Sequence, residues 1–291
     1  MRIPTIWIKH TEELTVDNWE KLGDEWVISG TLPKEYVFIG GSNNTEEAAF
    51  EQALKKRDIV KAKIEGHFNS SSNLEYEIDI CEEIIGKIDD QNIITRNKYG
   101  ALVLNSAHIM IIDIDNPKFK RLSEINTLLE LVIHIIKKIV LFRSGILGII
   151  GRKLSRNKFE HLYSRIYETP NGYRLIILGE DFDAKSIKSE KIMKSLRADR
   201  SYTNLCNLQN CYRARLTPKP WRIGVKRPKI IFPFRTEEEE KVHQAWVNNY
   251  QTVSEGFAAC RLVKEIGKPI QNRVVEYHDK FCKALSGLPM G

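Results

Sequence analysis

Asp113 and Asp115 stand two apart at the end of an apolar run, His108-Ile109-Met110-Ile111-Ile112. In a strand, residues two apart point to the same face. The two carboxylates can therefore converge on one cation. Hard oxygen ligands suit Mg²⁺ or Mn²⁺, which need only one or two carboxylates plus substrate phosphates. Strand ends in α/β folds are also where sites gather. The competing account is that Asp favours turns and simply ends the strand. A second constellation is Tyr167-Glu168-Thr169-Pro170-Asn171-Gly172-Tyr173-Arg174. A turn there brings a hydroxyl, backbone N–H groups and a guanidinium together, an arrangement able to hold a phosphate. A plain hairpin with Arg174 in solvent is the alternative. The third comprises Arg213, Arg215, Lys219 and Arg222, interleaved with Tyr212 and Trp221. The cations would neutralise phosphates and the rings would stack on bases. Lys226-Arg227-Pro228-Lys229 extends this basic stretch. Otherwise the segment is a surface strand paired with the chain's own carboxylates.

The five cysteines offer a soft-metal alternative. Cys206 and Cys211 are five apart, His278 and Cys282 are four apart on an expected helix, and Cys260 stands alone. Together they could assemble a zinc site. The separations between the pairs are not those of common fingers, and Cys is an ordinary core residue. The expected metal is therefore Mg²⁺ or Mn²⁺ at the carboxylates, not zinc. A Walker loop, a dinucleotide fingerprint and a Gly-x-Ser-x-Gly elbow are all missing.

Composition sets outer bounds. The chain has 291 residues, 42% hydrophobic and 29% charged, enough for one large or two smaller domains. A net charge of +7 leans towards a polyanionic partner without requiring one. An odd cysteine count and no leader pattern at Met1-Arg2-Ile3-Pro4 suggest a reducing, cytoplasmic setting. The apolar stretch Leu128 to Ile150 is broken by Glu130, His134, Lys137, Lys138 and Arg143. It reads as an amphipathic buried helix, so no membrane is expected.

The elements that must position these residues read as α/β (α+β), a mixed sheet flanked by helices. Residues 1–100 form an N-terminal α/β region. Ile3 to Ile8 and Tyr36 to Ile39 are short strands there, followed by a helix from Thr45 to Arg57 with Glu46 and Glu47 at its positive end. His67 to Asn73 is a loop, and Leu74 to Ile84 is ambiguous. Residues 101–233 are the core. Ala101 to Leu104 and His108 to Ile112 are neighbouring strands joined by a tight turn, and Pro117 stops the second. A long helix spans roughly Ser123 to Phe142; Ser144 to Gly151 has no clear reading. Glu160 to Glu168 and Tyr173 to Leu178 form a hairpin, because Asn171-Gly172 tolerates positive φ. A helix from Ala184 to Leu196 turns Ile187, Ile192, Met193 and Leu196 inward, and a shorter one covers Ser201 to Asn210. The prolines keep the Arg213 to Arg222 segment extended or looping. Residues 234–291 are helical: a capping box at Thr236 and Glu239 opens a helix towards Tyr250, and Phe257 to Ile266 and Asn272 to Leu285 give two more.

The central order of elements resembles the archaeo-eukaryotic primase superfamily, the catalytic core of primase-polymerases, over roughly Ala101 to Arg222. Ile112-Asp113-Ile114-Asp115 is similar to its hydrophobic-Asp-hydrophobic-Asp motif. Thr169-Pro170-Asn171-Gly172-Tyr173-Arg174 is similar to its turn carrying a phosphate-contacting histidine, with Tyr173 or Arg174 in the histidine's place. Candidates for its third acidic motif are Glu180, Asp181, Asp183 and Asp199. The resemblance implies nucleotidyl transfer: Asp113 and Asp115 as catalytic metal ligands, Tyr173, Arg174, Arg213, Arg215, Lys219, Trp221 and Arg222 holding nucleotide or nucleic acid. A non-catalytic nucleic-acid-binding module using residues 212–229 and a metal-dependent nuclease are the alternatives.

Overall fold

The computed structural model describes residues 1, 3–22, 25–65, 80–115 and 162–291. The Pro117 stop, the Ser123 to Phe142 helix, the Ser144 to Gly151 stretch and the loop at His67 to Asn73 lie outside them. So does most of Leu74 to Ile84. Contacts divide the chain into two units. Among the described residues the class is α+β, with three antiparallel sheets in place of one mixed sheet.

One unit contains Arg2–Glu83 and Phe232–Glu240. Its strands β1 (Ile6–Leu22) and β2 (Glu25–Ser42) form one long hairpin, starting from the pair Ile6↔Ser42. The two short strands expected from the sequence fall within this hairpin, Ile6 to Ile8 opposite Ser42 to Gly40 and Tyr36 to Ile39 opposite Glu12 to Lys9. The polar residues beyond them carry no apolar run to mark the continuation. Helix α1 (Glu46–Ile64) begins where expected: the Thr45 hydroxyl accepts the Ala48 N–H at 3.1 Å. Leu14, Phe38 and Ala53 form the small core between hairpin and helix. The helix backbone comes so close to Gly40 that a Cβ there would meet the Ala49 carbonyl oxygen at 1.8 Å. Gly40→Ala is therefore expected to cost on the order of 3 kcal/mol through overpacking, read as a lower urea midpoint. An unchanged midpoint would contradict this close approach.

The other unit contains Ile84–Ile231 and Lys241–Gly291. One sheet has the order β3 (Glu83–Asp89), β4 (Asn92–Arg96), β5 (Leu102–Ser106), β9 (Tyr212–Arg215). The other runs β10 (Arg261–Ile266), β7 (Tyr163–Thr169), β8 (Gly172–Leu178), β6 (Met110–Asp115). Strands β5 and β6, expected as neighbours, sit in different sheets. The turn between them carries the chain from one sheet to the other: β5 pairs with the preceding β4 and the distant β9, and β6 with the distant β8. The β7–β8 hairpin forms as expected, with Thr169 opposite Gly172. It does so without positive φ at Asn171 or Gly172. Pro170 instead supplies the fixed negative φ of a turn's second position.

β8 is buried at every residue, as befits a central strand. Around it lies the main core, including Ile111, Ile112, Ile166, Leu175 and Ile177. Helices α2 (Ile187–Ser195) and α3 (Arg200–Gln209) follow in the chain, capped by Ser186 and Asp199. Ile192, Met193 and Leu196 are inward as expected, but Ile187 is 69% exposed because it sits in the helix's first turn. Helix α4 (Glu237–Ser254) opens with Thr236 Oγ1 accepting the Glu239 N–H, and the Glu239 carboxylate accepting the Arg235 N–H. Phe257 to Ile266, expected as a helix, is instead mostly strand β10. β7 would otherwise be a bare edge, and pairing with it outweighs the helical preference of Leu-Val-Lys-Glu. Helix α5 (Arg273–Cys282) follows, its first N–H groups taken by Asn272.

Candidate functional site

The site grows from the open side of β6. Among the described residues this strand pairs with one other strand, β8. Its other side is satisfied by α3: the Asp199 N–H donates to the Asp113 carbonyl at 2.9 Å, and the Tyr202 hydroxyl donates to the Ile111 carbonyl at 2.8 Å. The same hydroxyl accepts the Arg213 N–H at 3.2 Å. Tyr202 thus ties β6 to β9 across the two sheets. The last turn of β6 then alternates as the sequence implied. Ile114 is buried, Asp113 is half-buried and Asp115 is exposed.

Asp113 lies directly opposite Arg174. Arg174 is 1% exposed, a full cation inside the protein. Its Nε meets Asp113 Oδ1 at 3.3 Å, and its Nη1 donates to the Arg215 carbonyl at 2.8 Å. Nη1 is also 3.2 Å from His278 Nε2 and 3.9 Å from Cys282 Sγ. Burial alone would depress the Arg174 pKa, but Asp113 together with Cys260 and Cys282 outweighs it and the net shift is upward. Arg174 is therefore charged, and its position is beneath Asp113 rather than at the surface. The sequence reading aimed it at a phosphate. Here its fork is spent on protein acceptors. Tyr173 is 4% exposed and offers no open face to a base. Alternation puts it on the other face of the hairpin, within the main core.

The basic segment divides in two. Arg213 turns to α3, with Nη1 3.4 Å from Gln209 Oε1. Arg215, Lys219 and Arg222 gather near the carboxylates. Burial, with Arg174 and Arg222 beside it, pushes Arg215 down to about 10, and Asp113 opposes the fall. Lys219 is lowered by burial and by Arg215 and Arg222, and lifted by Asp115 and Asp113. Arg222 is lowered by burial and lifted by Asp115. All three therefore lie within electrostatic reach of a β6 carboxylate. Arg222 Nη1 is buried with no hydrogen-bond partner among the described residues. The loop carrying these cations is held firmly. Thr217 Oγ1 accepts the Leu102 N–H at 2.9 Å, and Tyr250 of α4 donates to the Pro218 carbonyl at 2.6 Å. Pro220 then starts a single 3₁₀ turn, Pro220–Arg222.

Trp221 is 40% exposed at the rim. Tyr99 meets it edge-on at 5.4 Å, and the Arg227 guanidinium lies 4.3 Å from its ring centre. Lys219 Nζ lies 5.5 Å from the same ring. Tyr99 and Arg227 were not singled out in the sequence as ring partners. Only the fold brings residue 99 beside residue 221.

Among the described residues, none of the four candidates for a third carboxylate, Glu180, Asp181, Asp183 and Asp199, joins the pair in a cluster. Glu180 is ion-paired with Lys188, Asp183 accepts the Lys185 N–H, and Asp199 caps α3. Among the described residues, Asp113 and Asp115 belong to no cluster of three metal-ligating side chains. The two carboxylates still fit a hard cation, since Mg²⁺ accepts one or two with phosphate and water completing its shell. The orphaned Arg222 nitrogen and the excess of cations fit the phosphates. Comparisons of the chain with protein-family models, with curated proteins and with solved structures return no match.

Proposed function

We propose that this protein binds a nucleoside triphosphate with Mg²⁺ or Mn²⁺ at the end of β6 and transfers its nucleotidyl group, in the manner of a primase-polymerase. One observation carries the reading: three cations, Arg215, Lys219 and Arg222, each lie within electrostatic reach of Asp113 or Asp115. A divalent ion supplies charge neutralisation for in-line displacement at phosphorus. Asp113 and Asp115 hold that ion. Arg215, Lys219 and Arg222 neutralise the remaining phosphate oxygens. Arg174 fixes Asp113 from below and does not touch substrate. None of the five cysteines is in a disulfide, which fits a cytoplasmic setting. No helix among the described residues is long and apolar enough to cross a membrane.

The test is Mn²⁺ calorimetry with and without a nucleoside triphosphate. Because the neighbouring cations oppose a lone divalent ion, metal binding should be weak alone and strengthen with nucleotide. Equal metal binding under both conditions would sink the proposal. The pH profile adds a second check. Phosphate favours the charged form of Lys219, so binding raises its pKa. Affinity is full below the free-protein value, already lowered from the usual lysine range, and falls as pH rises through it. A Lys219→Met variant should lose that alkaline limb.

A second reading has its own support in the Tyr99–Trp221–Arg227 group, which could stack on and grip single-stranded nucleic acid. It predicts metal-independent binding that falls steeply with salt.

A further inference from the structure

We infer that Cys260, His278 and Cys282 form a buried zinc site, separate from the β6 carboxylates. Their ligand atoms lie within 4.8 Å of one another, and all three residues are buried. They come from two elements. Cys260 immediately precedes β10, while His278 and Cys282 are four apart on one face of α5. Two thiolates and an imidazole are the donor set that favours zinc over Mg²⁺ or Ca²⁺. Two thiolates also balance the ion's charge, which matters at a buried site.

The surroundings of His278 support this assignment. Its Nδ1 is 3.0 Å from Asp279 Oδ1. Asp279 is itself fixed from β7: Tyr167 donates to Oδ1 at 2.6 Å and Arg165 Nη2 donates to Oδ2 at 2.7 Å. Asp279 thus holds the proton on Nδ1 and leaves the Nε2 lone pair facing the sulfurs. A carboxylate behind a ligating histidine is a recurrent support for zinc. The position in front of Nε2 already attracts a cation, since Arg174 Nη1 stands 3.2 Å from it and 3.9 Å from Cys282 Sγ. Metal loading releases the thiol protons to solvent, and Arg174 withdraws to Asp113 and the Arg215 carbonyl. Water or the Arg215 carbonyl oxygen, 3.6 Å from Cys282 Sγ, fills the fourth position. The ion would pin the C-terminal end of α5 to the start of β10. Its role is structural, since the ligands are sealed from substrate.

Metal content of the purified full chain tests this directly. One zinc per chain is expected. Exchange for Co²⁺ should give thiolate-to-cobalt charge transfer and tetrahedral d–d bands. Cys260→Ser and Cys282→Ser should each lose the ion, and Cys206→Ser should keep it. Asp115→Asn should also keep it, which separates this site from the one proposed at β6. If the serine variants fail to fold, the wild-type cobalt spectrum still decides. A zinc-free wild type whose cobalt complex lacks thiolate charge transfer would overturn the assignment. So would equal zinc loss in Cys206→Ser.

Discussion

Replacing Arg174 by methionine is expected to lower the unfolding free energy by about 3 kcal/mol, at the low end of the range for breaking a buried ion pair. Methionine fills similar volume, so the loss is electrostatic and not a cavity. In the metal-free protein three groups lose their donor together: Asp113 Oδ1, the Arg215 carbonyl and His278 Nε2. The Asp113 side chain is 39% exposed, so water takes over part of its solvation and keeps the cost from rising further. The carbonyl and the imidazole have less recourse, and a buried acceptor without a donor costs about 1–3 kcal/mol. Arg174→Lys should recover only part of the loss. A lysine is a single point charge and cannot reach the carboxylate, the carbonyl and the imidazole at once. Urea unfolding gives the answer as a lower midpoint at unchanged slope. A methionine variant within roughly 0.5 kcal/mol of wild type, the range of ordinary surface changes, would mean that Arg174 is not the cation holding this corner together.

Arg174 also shows where sequence reading stops. Its chain position next to an Asn-Gly turn was legible, and so was the hairpin. Its burial was not, because that depends on β9 and α5 closing over β8. Nothing within β8 distinguishes Arg174 from a surface cation. The same holds at the other long-range joints. Leu-Val-Lys-Glu in β10 is strand only because β7 offers an open edge. Cys260 meets His278 and Cys282 only through that strand. Local chemistry, by contrast, was readable wherever a backbone group finds its partner within a few residues. Thr236 with Glu239 opens α4 as expected, and the helices expected from Thr45 and from Asn272 start there, each capped by that residue. The alternation that put Asp113 and Asp115 on one face was also local. What surrounds them was partly legible: Lys219 and Arg222 reach them, Arg213 also contacts Gln209 of α3, and Tyr173 faces the core.

Asp115→Asn is expected to abolish metal-dependent nucleotidyl transfer, by roughly 10³-fold, while leaving stability within about 0.5 kcal/mol of wild type. The magnitude follows from several kcal/mol of charge stabilisation lost with the ion, at about 1.4 kcal/mol per decade of rate. The neutral stability follows from exposure: Asp115 ends β6 at the surface. Asp113→Asn should behave differently. It removes the same kind of ligand and also leaves the buried Arg174 charge without its counterion. It should lose both activity and stability. An activity loss in Asp113→Asn alone could therefore be a folding defect, and it cannot carry the mechanistic claim. The pair of variants separates the two causes. If Asp115→Asn keeps full transfer activity, the carboxylates are not metal ligands. The salt-dependent gripping of nucleic acid by the Trp221 rim would then be the surviving account. If Asp115→Asn loses both metal and activity at wild-type stability, the end of β6 is the reacting centre and Arg174 is the residue that positions it.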